Sequence, residues 1–498
     1  MGFPNGRRGE YGKWLALTAA LLGWMFDGLE MGLFPLVARP ALADLLGVAD
    51  DKQIGKWFAV ATALFLVGAA TGGVLFGWLG DRLGRVRAMG LSVLTYAIFS
   101  GLCGVAGSAE QVAVLRFFSA LGMGGEWSLG VALVMEIWPD RSRGMLAGLI
   151  GAAANVGYLL IAVVGLGLGR LLPSVESWLL QAGLPEAWAS ALVAHSGWRL
   201  LMLTGAVPAV LTLFIQFFVP ESERWRQQRS RGTTSSWAVR DLLGVGVGAA
   251  CACLIVYLWA NDFPLVVRLV GTALALIVIL IGYTYPVVRY LQRAQGGSTQ
   301  SALLPTVRRM LLAACLSGIP LLATWAMVQW APPWADQLAG PEHPEAKSFT
   351  QICSAAGAVL GTIVAALAGN WVNRRLTYVI LCLGSLGSAL AFFWLNEHYG
   401  PVFLASMFLT GAFTASFYGW LPLYLPELFH TGVRATAQGF SYNFGRVLAA
   451  IGVLQTGNLM GLFEGDYRKA CSIMSLVYIL GMALIWLAPE TRGKPLPE

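Results

Sequence analysis

Five ionisable residues lie inside long apolar stretches of this 498-residue sequence. Asp27 and Glu30 are three positions apart in an early stretch, Arg116 and Glu126 share a later one, and Arg446 lies near the end of the chain. Residues three apart share one face of a helix, and an ionisable group in hydrocarbon is costly and generally marks a pathway for ions or solutes. The pattern predicts a polar site on a pathway through the membrane that holds both signs of charge.

The apolar stretches around these residues are long enough to cross a membrane. Hydrophobic residues make up 57% of the chain and charged residues 12%, with a mean hydropathy of +0.66, which excludes an ordinary soluble domain. About 20 apolar residues cross ~30 Å of hydrocarbon. We predict an all-α integral membrane protein with fourteen spans, at 14–38, 56–80, 88–106, 111–137, 145–169, 198–219, 241–260, 265–288, 309–331, 350–370, 376–395, 401–424, 435–460 and 470–488.

A duplication divides these spans into two related halves. Three residues recur with identical spacing, and each pair differs by 291 positions: Glu136 and Glu427, Arg143 and Arg434, Gly148 and Gly439. Repeated halves of this kind are typical of membrane transporters. The expected domains are a six-helix bundle at 1–220, cytoplasmic linkers flanking two inserted spans at 221–308, and a second six-helix bundle at 309–498.

A glycine-rich charged motif lies between the second and third spans, with Gly77, Asp81, Arg82 and Arg85 at its centre. Glycine permits close approach to a neighbouring helix, and an aspartate at a helix end can pair with arginines and close one side of the protein. An ordinary basic loop is the alternative interpretation. The corresponding segment of the second half has Asn370 in place of the acid, so we expect a weaker latch there.

The motif and the duplicated segments resemble those of major facilitator transporters, specifically the sugar-porter-like group that includes metabolite, aromatic acid and sialate proton symporters. The resemblance covers nearly the whole chain except the inserted pair, and further matching segments are Gly197–Arg199, Pro220–Ser222 and Pro489–Gly493. It implies two six-helix bundles related by a pseudo-two-fold axis. It also implies that Glu136 and Glu427 are latch partners of Arg143 and Arg434.

The same resemblance assigns a proton-coupling pair. An acid on the first span and an arginine on the fourth match Asp27 and Arg116, although a static buried ion pair is the alternative. Glu126 follows two glycines, as in the fourth helix of the metabolite and sialate symporters. We expect it to be a second titrating group, with a cation ligand or a packing residue as alternatives. The expected proton-coupling residues are therefore Asp27, Glu30, Arg116 and Glu126.

Substrate recognition is the least specific inference. Arg446 is the candidate anion clamp, because a guanidinium fork suits a planar carboxylate; an internal salt bridge to Glu126 or Asp27 is the alternative. The first span of the second half, 309–331, matches the seventh helix of sugar porters but lacks their paired glutamines, which disfavours hexoses. Aromatic and amide residues, some of which only pack, complete the predicted pocket: Trp127, Asn155, Tyr158, Trp325, Gln329, Tyr442 and Asn443, with Trp24 and Tyr418 as further candidates.

These observations predict proton-coupled uptake of a small organic anion by alternating access. A sugar transporter, a drug or metabolite exporter and a non-transporting solute receptor are the alternatives. No nucleotide-binding loop of the GxxxxGK[ST] type occurs, which disfavours ATP-driven transport. The four histidines lie near loops without a paired nucleophile, so we expect no enzyme, cofactor or metal site.

The distribution of basic residues predicts the orientation. Connections on one side, together with both termini, carry 22 of the 33 lysines and arginines, and basic loops remain cytoplasmic. Both termini are therefore expected in the cytoplasm, in a multi-pass protein of the bacterial inner membrane type. Because the basic residues are dispersed over the loops, we expect no nucleic acid partner; the expected partners are the lipid bilayer, protons and a small-molecule substrate, with the chain a monomer.

Overall fold

A computed structural model describes residues 5–47, 51–138, 142–261, 263–294, 300–340, 343 and 345–497, and every regular element in these ranges is helical. The first half contains seven helices, two of which form the sixth span. Their bounds are α1 (Asn5–Leu46), α2 (Asp51–Leu83), α3 (Arg85–Leu102), α4 (Ala109–Ile137), α5 (Arg143–Gln181), α6 (Glu186–Thr204) and α7 (Ala209–Phe218).

A short helix and the inserted hairpin follow, and then the second half. The middle segment comprises α8 (Glu223–Ser230), α9 (Leu242–Ala260) and α10 (Leu265–Ala294). The second half comprises α11 (Gln300–Ala326), α12 (Ala331–Ala339), α13 (Ala346–Trp371), α14 (Arg374–Leu395), α15 (Pro401–Ala415), α16 (Phe417–Tyr424), α17 (Arg434–Leu462), α18 (Tyr467–Ser475) and α19 (Val477–Leu484).

The predicted spans correspond to these helices. Thirteen helical segments in the described ranges are long and apolar enough to cross a membrane. The remaining predicted span, 435–460, corresponds to α17, which is 29 residues long and carries the polar side chains of Gln438, Ser441, Asn443 and Arg446 on its buried surface. The sixth, twelfth and fourteenth spans are each divided between two consecutive helices. The bundle architecture predicted from the duplication is confirmed.

The hydrophobic core differs between the two ends of the molecule. One large cluster of buried side chains includes residues of both halves, for example Leu129 and Phe440. Towards the other end, each half has a separate cluster, one around Phe34 and Trp198 and one around Trp334 and Phe403. The halves therefore pack together at one end and form separate cores at the other.

The end at which the halves meet is also the end where the chain begins and finishes. The indole of Trp138 donates to the carbonyl oxygen of Lys13, and Arg434 donates to that of Pro497. We call this end the terminal side. Near it, α2 and α17 approach backbone to backbone: a Cβ atom added to Gly439 would lie 1.9 Å from the carbonyl oxygen of Gly73.

The inserted hairpin of α9 and α10 packs against α2. The hydroxyl of Tyr283 on α10 forms a buried hydrogen bond of 2.7 Å with the hydroxyl of Thr71 on α2. The ring of Tyr290 stacks on Trp237 at 4.3 Å. The outer face of the hairpin is apolar and exposed, as at Leu243 and Val266, so it would face lipid.

Candidate functional site

A cavity lies between the two halves, bounded by α1 and α5 on one side and by α11, α13, α15, α16 and α17 on the other. The space within it, counted together with open solvent at its mouth, is about 860 Å³. Five predicted pocket residues line it: Asn155, Tyr158, Gln329, Tyr442 and Arg446.

Arg446 is the single charged residue among the described residues that line the cavity. Only 2% of its surface is exposed, and its guanidinium lies 5.6 Å from the centre of the Tyr442 ring. Its Nε and Nη1 atoms are buried and have no hydrogen-bond partner within the described part of the chain. Buried donors of this kind are costly unless they are satisfied, so Arg446 can bind an acceptor that enters the cavity.

Asp27 and Glu126 form an acidic pair next to Arg446. Asp27 interacts electrostatically with both Glu126 and Arg446, and the two carboxyl groups lie within hydrogen-bonding reach of each other. None of their four oxygens accepts a hydrogen bond from a donor in the described ranges. A bond between two carboxyl groups requires a proton on one of them, so this pair can hold and release a proton.

The position of Glu126 depends on a glycine of α1. Glu126 Oε1 occupies the place that a side chain at position 23 would take, because a Cβ atom added to Gly23 would lie 1.6 Å from this oxygen. Gly23 is one helical turn before Asp27. The absence of a side chain at Gly23 therefore brings α4 and its carboxyl group against α1.

Arg116 does not pair with Asp27 as predicted. It forms an ion pair of 3.3 Å with Glu30, which also accepts a hydrogen bond from Ser100. The guanidinium of Arg116 lies over the rings of Phe34 and Phe65, at 4.0 and 4.4 Å from their centres. Glu30 is nearly one turn further along α1 than Asp27, so the charged residues of the predicted site form two clusters: Asp27 with Glu126 and Arg446, and Glu30 with Arg116.

Three other predicted pocket residues do not line the cavity. Asn443 donates to the carbonyl oxygens of Gly124 and Gly439, at 2.9 and 3.1 Å, so it joins the two halves. Trp127 lies behind the cavity wall, where it stacks on Tyr442 with ring centres 3.8 Å apart. Trp325 is buried and is likewise absent from the cavity lining.

Other lining residues were missed by sequence reasoning. They include Thr324, which lies 3.0 Å from the hydroxyl of Tyr418, and Gln351, Ser354, Met407 and Thr414. Gln351 could have been predicted as a pocket residue because it is a polar residue in the apolar helix α13. Met407 could not, because its sequence context is that of any core residue. Trp24 and Tyr418, considered as candidates, do line the cavity.

A polar contact between the halves lies on the cavity wall. The hydroxyl of Tyr158 on α5 donates to Oε1 of Gln329 at 3.1 Å, and Nε2 of Gln351 on α13 lies 3.5 Å from the carbonyl oxygen of Tyr158. These three neutral groups all line the cavity. They supply both donors and acceptors.

A second charged site lies at the terminal side. It consists of Asp81, Arg85, Glu136 and Arg434, and we call it the terminal cluster. Asp81 accepts from Arg85 at 2.7 Å and from the backbone nitrogen and hydroxyl of Thr436 at 2.8 and 2.6 Å. Glu136 lies 3.2 Å from Arg85 and 2.8 Å from Arg434. Because Thr436 and Arg434 belong to the second half, these bonds connect the halves.

The pairing in this cluster differs from the prediction. Arg434 was predicted to pair with Glu427, but it crosses to Glu136 of the other half, because α17 begins beside α2 and α4. Glu427 instead binds Arg374 at 2.7 Å and Thr491 at 2.6 Å. Arg143, predicted as the partner of Glu136, is buried at the start of α5, whereas the partners found for Glu136 are Arg85, Arg434 and Ser222.

The remaining motif residues have separate roles in the structure. Gly77 permits contact between the halves, because a Cβ atom there would lie 2.7 Å from the carbonyl oxygen of Ala435. Arg82 lies 5.0 Å from the centre of the Trp78 ring. Asn370, the counterpart of Asp81, lies against Gly144 of the first half. A Cβ atom added to Gly144 would lie 2.9 Å from the Cβ atom of Asn370.

Two glutamates outside the spans cap equivalent helices of the two halves. Glu221 accepts from the backbone nitrogens of Arg85 and Val86 at the start of α3. Glu490 accepts from those of Arg374 and Arg375 at the start of α14. Burial raises the pKa of Glu221, whereas backbone N–H donors outweigh burial at Glu490 and lower its pKa.

Comparisons with known proteins agree with this arrangement. A protein of Cupriavidus pinatubonensis described as a probable 4-methylmuconolactone transporter is 28% identical, over 95% of this chain and 90% of its own. The cis,cis-muconate transport protein of Acinetobacter baylyi is 24% identical, over 96% of this chain and 97% of its own. The solved structure of the proton:xylose symporter XylE superposes with a TM-score of 0.69 at 19% identity, over 97% of this chain and 98% of that one.

The family comparison covers most of the chain. A match to the Major Facilitator Superfamily extends over residues 15–453, which cover the first half, the inserted hairpin and the second half as far as α17. Family membership makes this a multi-pass membrane transport protein for a small molecule and not an enzyme. The chain belongs to the Major Facilitator Superfamily.

Proposed function

We propose that this protein is a secondary active transporter that takes up a small organic anion together with protons by alternating access. The observation that carries this proposal is the position of Arg446, a buried cation with unsatisfied donors on the wall of a cavity between the halves. An acidic pair stands beside it. Anion binding and proton binding are therefore adjacent.

The substrate class follows from the chemistry of Arg446 and from the relatives. A guanidinium offers planar, paired donors that match a carboxylate. The two relatives named above are described as transporters of organic acids or their lactones, muconate and 4-methylmuconolactone. A carboxylate-bearing metabolite is consistent with both lines of support.

Proton coupling is proposed for Asp27 and Glu126. When both carboxyl groups are ionised, they repel each other and compete with the substrate for Arg446. A proton on the pair removes one negative charge, so Arg446 is released to the substrate and the loaded site carries less net charge through the membrane. Glu30 and Arg116 form a separate ion pair. We propose that this pair positions α1 against α4, and that α1 transmits the protonation state of Asp27 to it.

The terminal cluster is proposed to be the gate. Its bonds between the halves must break for the cavity to open on the terminal side, with Gly77 and Asn443 separating from their partners at the same time. The excess of basic residues in the loops of this side supports a cytoplasmic location, in a protein of the bacterial inner membrane type. The structure then corresponds to a state closed to the cytoplasm.

The test is a transport assay in proteoliposomes with external pH recorded. We expect an organic acid such as benzoate to cause alkalinisation outside with the unaltered protein and none with Asp27→Asn. Arg446→Lys keeps the charge but loses the fork, so the apparent affinity should fall by about 10- to 100-fold, the range for losing a charge-assisted bond.

The matched control is Asp466→Asn, which removes the same charge from a solvent-accessible ion pair with Lys469. It should transport like the unaltered protein. If no organic acid moves protons while a sugar or an organic cation does, the assignment of Arg446 as an anion site is wrong.

A further inference from the structure

We propose that the cavity selects molecules that carry one carboxylate and one uncharged polar group, and that Tyr158, Gln329 and Gln351 bind the uncharged group. This inference rests on the proposed function and narrows its substrate class. On this proposal, molecules of similar size that carry two carboxylates are excluded. The argument depends on the charges of the cavity wall.

The cavity can compensate one negative charge. Arg446 is the single cation among the described lining residues, and it already interacts with Asp27. Glu126 adds a second acid to the same region. When protons neutralise this acidic pair, Arg446 supplies one positive charge, which compensates one carboxylate and leaves none for a second.

The other polar group on the cavity wall, formed by Tyr158, Gln329 and Gln351, is neutral. Tyr158 comes from the first half, whereas Gln329 and Gln351 come from the second. The hydrogen bond between Tyr158 and Gln329 uses the amide oxygen of Gln329, which leaves the N–H donors of that amide for a ligand. The contact between Gln351 and the Tyr158 carbonyl is long, at 3.5 Å, so a ligand group can replace it.

These amides suit a hydroxyl, an ester or a lactone carbonyl, because each side chain both donates and accepts. The remaining wall is largely apolar and includes Met31, Leu321, Val328 and Met407. A second carboxylate bound there would lose its water and meet no cation, which is unfavourable. Neutral polar groups do not incur this penalty.

The experiment compares two probes that differ by one charge: monomethyl terephthalate, a monoanion at neutral pH, and terephthalate, a dianion. Uptake of each is measured in proteoliposomes at pH 7 and pH 8 with the full-length protein. We expect the monoester to be taken up at least ten times faster than the diacid. Equal rates, or faster uptake of terephthalate, would overturn the proposal.

Two substitutions locate the selectivity. Gln351→Lys and Gln329→Lys each place a cation among the neutral polar groups of the cavity wall. At least one of them should raise the ratio of terephthalate uptake to monoester uptake ten-fold or more. Gln351→Met is the control: it removes the amide without adding charge and should slow the monoester without favouring terephthalate. An unchanged ratio in both lysine variants, with the proteins monodisperse in detergent, would refute the assignment of these residues.

The outcome can be separated from a failure of the proposed function. If neither probe nor benzoate is transported by the unaltered protein, the organic anion assignment itself fails. If benzoate and terephthalate are both transported at similar rates, the anion assignment stands and the selection against a second charge is refuted.

Discussion

Replacing Asp81 by asparagine tests whether the terminal cluster holds the two halves together. The carboxylate of Asp81 accepts three hydrogen bonds from the second half: from the backbone nitrogens of Ala435 and Thr436 and from the hydroxyl of Thr436, at 3.3, 2.8 and 2.6 Å. Asparagine keeps the shape of the side chain but removes the charge and one of the two acceptor oxygens. The variant should therefore favour opening on the terminal side.

The size of the effect can be bounded from the same contacts. A hydrogen bond to a charged group contributes about 1.5 to 3 kcal/mol, and removing one partner of a buried charged network costs about 3 to 5 kcal/mol. Arg85 retains Glu136 after the substitution, which reduces the loss. An estimate of about 3 kcal/mol corresponds to a shift of on the order of 100-fold towards the terminal-open state.

The assay measures the distance between spin labels at Arg87 on α3 and Leu376 on α14, both exposed near the terminal side of different halves. The labels are introduced into a variant that lacks the seven native cysteines. We expect Asp81→Asn to add a longer distance to the distribution. Glu223→Gln is the matched control, because Glu223 is an exposed acid on the same side whose recorded ion pair is with Arg226 of its own helix.

A distance distribution for Asp81→Asn that equals those of the unaltered protein and of Glu223→Gln would refute the gating role. In that case the hydrogen bonds between Asp81 and α17 would be replaced without cost when the charge is lost. Loss of folded protein is checked by size-exclusion chromatography before the distances are compared.

Two further predictions concern packing and pH. Gly439→Ala places a methyl group 1.9 Å from the carbonyl oxygen of Gly73, so it should abolish the terminal-closed state in the same distance assay, whereas Gly387→Ala, which meets no atom within 4 Å, should leave distances and transport unchanged. Glu490 has a lowered pKa because of backbone N–H donors, so its stabilisation is present above the unfolded-state pKa and is lost as pH falls through the folded-state value. Thermal unfolding in detergent should therefore show a smaller loss of Tm between pH 7 and pH 4 for Glu490→Gln than for the unaltered protein, and equal losses would contradict this.

The membrane fold could be read from the sequence because its determinants are local. The length and hydropathy of each segment predict a helix that can span the hydrocarbon, and the repeat of Glu136 and Arg143 at Glu427 and Arg434 predicts two related halves. The glycine-rich motif also predicted that Asp81, at a helix end, pairs with arginines, and Asp81 does pair with Arg85 at the start of the next helix. Arg446 was found because a charge in an apolar span is conspicuous.

The partners of these charges were decided by tertiary structure. Arg116 binds Glu30 and not Asp27, and Arg434 binds Glu136 of the other half, because each choice depends on the rotation and crossing of helices that are distant in sequence. Spacing along one helix indicates which residues share a face, but not which face of another helix they meet.

The cavity follows the same rule. Gln329 and Gln351 come to lie near Tyr158 only when α5, α11 and α13 are packed together, and Asn443 is withdrawn from the cavity by the close contact between α2 and α17. The sequence by itself determined the spans, the duplication and the presence of costly buried charges, since these are properties of single segments. Only the packing of the two halves decided which of those charges meet, because that depends on contacts between residues hundreds of positions apart.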